Sequence, residues 1–264
     1  ERQRRLARER AWTIAWTADP HSHADYISGS PELAADGATF LASRGAGLEM
    51  GHRPVDPGEV LRLTNQIELR AIPTPGHTPD HLAYLLVVDG VAEALFSGGA
   101  LMVGALGRTD LLGDEHREDL ARALFRALRA EILPLPDDLA VYPTHGAGSF
   151  CSAPAGSARA TTIGAERANN PLLAVDDEDA FVGALLSGLG TFPDYFRRLP
   201  EINRTGPAIH PAVPQLARLD IDTVRRHLAD GAAFVDARPI ADFAPAHPLG
   251  AISIEHRPAF ASWF

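Results

Sequence analysis

Residues Ala18–Gly29 read ADPHSHADYISG, and this stretch contains the residues around which we expect the fold to be built. His21 and His23 alternate with a serine, and Asp25 follows two positions later. Two imidazoles and a carboxylate this close together can face one point where the backbone turns, and zinc or iron accepts such ligands. The preceding Trp12–Thr17 alternates large and small residues, which predicts a strand. The histidines therefore lie in a strand-end loop, where functional groups are commonly mounted.

The composition limits the class of protein. The chain has 264 residues, of which 45% are hydrophobic and 22% charged, as in an ordinary globular protein. A formal net charge of −10 argues against nucleic acid as a partner. All 24 basic residues are arginine, which excludes lysine Schiff-base chemistry, a phosphate-binding P-loop lysine and a lysine general base. No apolar run is long enough to cross a bilayer, so we expect no membrane partner. The single cysteine, Cys151, predicts a reducing compartment, the cytoplasm.

Hydrophobic patterning predicts alternating strands and helices. The expected strands are Thr39–Ala42, Glu59–Leu63, Gln66–Ile72, His81–Val88, Ala92–Ser97 and Leu139–Tyr142. The expected helices are Pro31–Ala35, Asp114–Leu133, Ala158–Asn169 and Asp177–Leu189. The dipeptide Asp89-Gly90 between two strands is a strong hairpin signal.

A proline-rich stretch, GPAIHPAVP at Gly206–Pro214, predicts a domain boundary. We expect a first domain over residues 1–205, a linker over 206–217 and a second domain over 218–264. In the second domain, the predicted elements are a helix over Asp222–Gly231 capped by Asp222, and strands at Ala233–Asp236 and Gly250–Ile254. This segment offers little apolar surface, so we expect it to be poorly ordered or to lean on the first domain.

Four histidines follow strand ends, three of them beside glycine or proline. Besides His21 and His23, they are His77 in PTPGHTPDH and His145 in PTHGAGSFC. A metal centre at the rim of a sheet needs this arrangement, so we predict that the four rings converge. Arg108 in GRTD is a candidate for clamping a carboxylate, with a surface salt bridge as the alternative.

Together these motifs resemble the metallo-β-lactamase superfamily. The HxHxD loop at His21–Asp25, His77 and His145 match its successive metal motifs in order. Phe96–Gly113 is similar to the persulfide dioxygenases and their relatives fused to rhodanese domains, and Phe234–Ile254 looks like the first half of a rhodanese domain. The resemblance implies an α/β fold: an αββα sandwich of two mixed sheets, followed by a partial rhodanese-like α/β segment.

The resemblance also implies a function in sulfur metabolism. A mononuclear Fe(II) enzyme would oxidise a glutathione-type or related persulfide with O₂ to sulfite, with Arg108 orienting the substrate. Two ligands are implied at His21 and His77, and further ligands or their hydrogen-bond partners at His23, Asp25 and His145. Zinc and a metal-depleted site are the alternatives for the cofactor. The implied partner is a small-molecule thiol or persulfide, and the expected assembly is a homodimer.

The sequence departs from the superfamily pattern at two positions. Tyr26 stands where the superfamily has the last histidine of HxHxDH, which removes a ligand of a second metal. Gly99 stands where the family has an aspartate ligand, so we expect weak metal binding that Gly99→Asp would strengthen. Two alternatives therefore stay open: a thioester hydrolase acting on an acyl-glutathione, and a degenerate, non-catalytic binding protein. We also expect family strands before Arg5, and a rhodanese catalytic cysteine, to be missing.

Overall fold

The structure is a computed structural model that describes residues 2–145, 150–151, 158–210, 215–257 and 260. It divides into two compact units, Glu1–Ile209 and His210–Phe264. Their boundary falls inside the stretch 206–217 that the sequence indicates as a linker. None of the helices in the described residues is long and apolar enough to cross a membrane.

The first unit begins with a small parallel sheet. After helix α1 (Arg2–Glu9), strand β1 (Trp16–Asp19) leads through helix α2 (Ser30–Ala35) to β2 (Thr39–Ser43), and β3 (Arg53–Val55) follows. The strand order is β1-β2-β3, and both pairings are parallel. Because α2 forms the crossover, the histidine loop lies between the end of β1 and the start of α2.

The second sheet has six strands. They are β4 (Val60–Arg62), β5 (Ile67–Pro73), β6 (Leu82–Val88), β7 (Val91–Gly98), β8 (Ala140–Pro143) and β9 (Thr161–Thr162), in that spatial order. Only β7 and β8 pair in parallel, and the helix-bearing segment 99–139 connects them. Asp89 and Gly90 have φ angles of 49° and 83°, which suits a tight hairpin turn and confirms the predicted β6–β7 hairpin.

Helices flank this sheet. Helix α3 (Arg117–Ala127) continues as a π-helical turn, and α4 (Ile163–Asn169), α5 (Glu178–Ser187), a 3₁₀ turn at Asp194–Arg197 and α6 (Leu199–Thr205) follow. The predicted helix over Ala158–Asn169 was wrong in its first half. Thr161 and Thr162 pair with β8 instead, and the Thr162 hydroxyl caps α4 by accepting from the N–H of Ala165.

The core lies on both faces of the six-stranded sheet. On one face, Leu124 and Leu128 pack with Phe181 and with strand residues such as Leu95. On the other face, Leu69, Leu82 and Tyr84 pack against Leu41 and Val55 of the parallel sheet, so the two sheets are stacked. The described part of this unit is thus an α/β sandwich, with a parallel three-stranded and a mixed six-stranded sheet.

The second unit contains α7 (Ile221–Ala229), β10 (Val235–Asp236), α8 (Ile240–Phe243) and β11 (Ile252–Ser253). The two strands pair in parallel. The predicted cap of its first helix was wrong: Asp220, not Asp222, accepts from the N–H of Thr223 at 2.7 Å. Asp220 has the extended backbone that a cap needs, whereas Asp222 already lies in the first helical turn. A rhodanese-like identity for this unit stays a prediction.

Candidate metal centre

The histidine loop is fixed at its base by Asp19, the last residue of β1. This carboxylate accepts hydrogen bonds from the hydroxyls of Ser28, at 2.6 Å, and Ser30, at 2.7 Å. Burial raises the pKa of Asp19, although the two hydroxyls oppose the rise. The loop is also joined to the second sheet, because the N–H of Leu82 donates to the carbonyl of Pro20 at 2.8 Å. These bonds fix both the start and the end of the loop.

Asn203 of α6 fixes the middle of the loop. Its amide nitrogen donates to the carbonyls of His23, at 2.8 Å, and Tyr26, at 2.9 Å, and its oxygen accepts from the N–H of Ser28 at 2.9 Å. The side chain is buried. Sequence analysis missed this residue, because a single asparagine in a helix carries no local signal and its partners are 175 to 180 positions away.

The structure brings the four predicted histidines together. The ring centroid of His21 lies 4.3 Å from that of His23, 4.6 Å from that of His77 and 5.3 Å from that of His145. All four side chains are buried. The expected convergence of rings from three distant loops is therefore confirmed, while metal binding by them stays a prediction.

His77 presents one defined nitrogen. Gly76, with a φ of 145°, provides the turn before it, in a conformation that side chains rarely adopt. The Nδ1–H of His77 donates to the carbonyl of Arg108 at 2.7 Å, which leaves the lone pair of the ring on Nε2. Burial, followed by the neighbouring His145, lowers the pKa of His77 to about 4. The ring is therefore neutral near pH 7 and able to act as a ligand.

His145 connects the carboxylate to the other rings. Its Nδ1 lies 3.1 Å from Oδ2 of Asp25, and its Nε2 lies 3.2 Å from Nε2 of His21. Burial alone would raise the pKa of Asp25, but the hydrogen bond and charge of His145 lower it on balance. An ionised Asp25 accepts the Nδ1–H of His145, so the His145 lone pair is on Nε2.

His21 and His23 are held neutral by burial as well. Burial lowers the pKa of His21 far below its usual range and that of His23 to about 3. The Nδ1 atoms of both rings are buried without a hydrogen-bond partner among the described residues. Nε2 of His23 is 2.9 Å from the hydroxyl of Tyr26, whose pKa is raised by burial, so the phenol stays protonated. Tyr26 thus contacts a histidine as a neutral hydroxyl group.

His81 has a structural role. Its Nε2 accepts from the N–H of Gly99 at 2.9 Å, and its Nδ1 lies 2.7 Å from the hydroxyl of Thr74. Both ring nitrogens are therefore engaged. His81 connects the start of β6 to the turn after β7 and offers no lone pair to a metal.

The cluster fits a metal ion. Among the described residues, two sets of three side chains could each hold a metal ion, because the three ligand atoms within a set lie within 4.8 Å of one another. The first set is His21, His77 and His145, and the second is His23, Asp25 and His145. Two nitrogens bound at about 2.1 Å to one ion are about 3.0–3.4 Å apart. The His21–His145 separation of 3.2 Å falls within this range. Several buried imidazoles beside a carboxylate suit one divalent transition-metal ion such as zinc or iron.

The turn after β7 corrects one expectation. A Cβ added at Gly99 would lie 2.3 Å from Cδ2 of His77, much closer than any ordinary contact. A Cβ added at Gly107 would lie 2.9 Å from Cγ and Nδ1 of the same ring. The His77 ring thus occupies a slot between two glycine backbones. This geometry contradicts the expectation that Gly99→Asp would add a ligand and strengthen binding.

Arg108 is fully engaged inside the protein. Its guanidinium donates twice to Asp110, at 2.7 and 2.8 Å, and to the carbonyls of Phe150, at 2.9 Å, and Gly190, at 2.8 Å. It also stacks on Phe192, with the guanidinium carbon 4.5 Å from the ring centroid. The surface salt bridge considered as an alternative was wrong, because the side chain is only 2% exposed. A role in orienting substrate stays a prediction.

An aromatic cleft is lined in part by residues that neighbour two of the cluster histidines in the chain. Its volume is about 550 Å³, within the range of small-molecule sites. Its aromatic lining comprises Trp16, Tyr84, Phe96 and Tyr142. Pro20 and Thr144 also line it, and these residues directly precede His21 and His145 in the chain.

Comparison with known proteins agrees with this fold. No protein-family model matches the chain. A hydroxyacylglutathione hydrolase of Polaromonas sp. is 32% identical over 53% of this chain and 51% of its own length. A mitochondrial persulfide dioxygenase of Homo sapiens is 29% identical over 67% of this chain and 64% of its own length. The crystal structure of a metallo-β-lactamase from Staphylococcus aureus superposes with a TM-score of 0.83 at 29% identity, covering 98% of this chain and 75% of that one.

The fold is therefore the α/β fold of the metallo-β-lactamases, and the chain is similar in sequence to members of that superfamily. Its homologues include persulfide dioxygenases and hydroxyacylglutathione hydrolases at modest identity. The matched region spans between half and two thirds of the length of these two relatives.

Proposed function

We propose that this chain is a metal-dependent enzyme of sulfur metabolism that oxidises the terminal sulfur of a thiol persulfide. The balanced reaction is RSSH + O₂ + H₂O → RSH + H₂SO₃. The observation that carries this proposal is the sharing of His145 by both candidate ligand groups. A neutral imidazole has one lone pair, so the two groups cannot both bind an ion through it. A single-metal centre suits a persulfide dioxygenase better than a two-metal hydrolase, and one relative has that activity by name.

The roles of the residues follow from their contacts. His21, His77 and His145 would hold the ion, and Asp25 and the carbonyl of Arg108 would orient two of these rings. When bound, Fe(II) supplies redox chemistry and a common site at which both reactants are oriented. Burial keeps the imidazoles of His21 and His77 neutral.

The aromatic cleft is the proposed position of the organic part of the substrate. Its lining residues Pro20 and Thr144 are the chain neighbours of two cluster histidines. Its aromatic walls would bury the carbon skeleton of a small thiol, with the sulfur directed to the cluster. We further propose a cytoplasmic location, based on the single cysteine, and a rhodanese-like character for the second unit, based on its parallel strand pair.

A thioester hydrolase is the second candidate. It is favoured by the relative with 32% identity, which is a hydroxyacylglutathione hydrolase. Tyr26 counts against it, because a protonated phenol hydrogen-bonded to His23 is a poor substitute for a metal-binding imidazole.

Metal content and oxygen uptake test the proposal together. The purified full chain should contain or bind one Fe(II) per chain under anaerobic conditions. In air it should then consume one O₂ per persulfide and release sulfite. Binding of two zinc ions with hydrolysis of an acyl-glutathione would support the hydrolase instead. A chain loaded with iron that consumes no oxygen with glutathione persulfide, coenzyme A persulfide or hydrogen disulfide would refute the dioxygenase proposal.

A further inference from the structure

We infer that the metal centre is a three-histidine site formed by His21, His77 and His145, with Asp25 outside it as the hydrogen-bond partner of His145. The inference deepens the proposed function and rests on it only in requiring that a divalent ion binds. It differs from the ligand set implied by the family resemblance, in which an aspartate at position 99 would complete the site.

The hydrogen bonds of two rings select this set. The carbonyl of Arg108 can only accept, so His77 donates from Nδ1 and has its lone pair on Nε2. The carboxylate of Asp25 likewise accepts from Nδ1 of His145, which leaves Nε2 as the lone-pair atom, 3.2 Å from Nε2 of His21. Both rings are therefore already in the tautomer that a shared ion requires.

The other candidate group is disfavoured by the same contacts. A centre of His23, Asp25 and His145 that used Nδ1 of His145 would break the hydrogen bond between this nitrogen and Asp25. It would also put the His145 proton on Nε2, facing His21. Retaining the observed bond makes Asp25 a positioning residue, which orients His145 and increases its basicity.

Gly99 provides space for the His77 ring in this arrangement. Its missing side chain, with that of Gly107, leaves the slot that the His77 ring fills. Aspartate at position 99 would compete with His77 for space. The centre therefore consists of three neutral ligands, which do not offset either positive charge of a divalent ion. This charge favours an anionic sulfur, a thiolate or persulfide anion, over a neutral thioester.

The test is an anaerobic titration of the metal-free full chain with Co²⁺, followed by its visible absorption. We expect His21→Gln, His77→Gln and His145→Gln each to weaken binding at least about 100-fold. Asp25→Asn should weaken Co²⁺ binding about 10- to 100-fold and leave the shape of the Co²⁺ spectrum unchanged, because Asp25 hydrogen-bonds a ligand and does not itself bind the ion. The matched control is His23→Gln, a buried histidine of the same cluster, which should change affinity less than about tenfold.

A second pair of variants tests the glycine slot. Gly99→Ala should weaken Co²⁺ binding at least about tenfold, whereas Gly51→Ala, whose added Cβ meets no atom within 4 Å, should not. Thermal unfolding of each variant identifies any that fail to fold. The inference is overturned if Gly99→Asp or Gly99→Ala binds as tightly as the unchanged chain. It is equally overturned if Asp25→Asn alters the spectrum as much as His145→Gln. The expected Co²⁺ pattern without oxygen uptake by the iron form would retain the inference and refute the dioxygenase proposal.

Discussion

Nε2 of His145 lies 3.2 Å from Nε2 of His21, although 124 residues separate them in the chain. At most one proton can lie between two such nitrogens, and both rings are buried. Burial lowers the pKa of His21 far below its usual range, so the protonated, positively charged form of this ring is disfavoured. The fold therefore holds these two nitrogens at a separation that also suits two ligands of one metal ion.

Asn203 should stabilise the histidine loop. Asn203→Ala removes three hydrogen bonds and takes their partner from the buried backbone groups of His23 and Ser28 and the partly buried carbonyl of Tyr26. Leaving such groups unsatisfied costs about 1–3 kcal/mol, so we expect a loss of stability of that size and weaker metal binding. Urea unfolding measures the first effect. The control is Asn169→Ala, an exposed asparagine with one bond to its own helix, and an equal effect there would contradict the role.

Arg108 should contribute to folding more than to substrate binding. Arg108→Met leaves Asp110 and the carbonyls of Phe150 and Gly190 without their donor, which should cost about 3–5 kcal/mol. Arg117→Met, which removes an exposed ion pair, should cost less than about 1 kcal/mol. Chemical denaturation compares the two. A variant with unchanged stability and a strongly raised KM would instead support the predicted substrate role.

The metal-free protein should lose stability in acid. The pKa of His77 is about 4 and that of His23 about 3 in the folded chain, against an ordinary value of 6.5. The unfolded chain therefore binds more protons in this interval, so stability is complete above pH 6.5 and falls as the pH is lowered towards 4 and 3. Each tenfold difference in proton affinity is worth about 1.4 kcal/mol.

Urea midpoints between pH 7 and pH 4, measured with a chelator present, provide this test. His77→Gln should flatten the dependence, whereas exposed His116→Gln should not change it. Stability that stays constant over the interval would show that the cluster is not held neutral.

The aromatic cleft should affect substrate binding and not metal binding. Tyr142 is half exposed and packs beside Phe96, with ring centroids 5.9 Å apart. Tyr142→Ala should raise the KM for a persulfide several-fold and leave the metal content unchanged. Val91→Ala, which truncates an exposed residue outside the cleft, is the control. An unchanged KM for Tyr142→Ala would place the substrate elsewhere.

The second unit should be more sensitive to proteases than the first. Among its described residues, 210, 215–257 and 260, only Asp236 is buried, and Leu216 and Leu249 are almost fully exposed. So little burial cannot offset the entropy of ordering the segment. Limited proteolysis of the full chain should therefore degrade it while unit Glu1–Ile209 persists. A protease-resistant fragment released from this end would contradict the prediction.

The sequence by itself determined the local elements and the composition of the site. Patterning located most of the strands, and Asp89-Gly90 specified the β6–β7 hairpin, because both depend on neighbouring residues only. The first strand was misplaced: it was predicted at Trp12–Thr17 and lies at Trp16–Asp19. The positions of His21, His77 and His145 after strand ends sufficed to predict that they converge, since strand ends meet at the rim of a sheet. The start of α4 was less well predicted, because the pairing of Thr161 and Thr162 with β8 replaced their helical pattern.

The tertiary structure alone decided how the site is completed. Three contacts join residues that are far apart in the chain. Asn203 hydrogen-bonds the histidine loop, Arg108 donates to distant carbonyls, and His77 fills the space beside Gly99. No periodicity or spacing encodes them, because each depends on the packing of several elements at once. Gly99 illustrates the difference: in the sequence it marks a missing carboxylate, and in the folded chain it makes room for an imidazole ring.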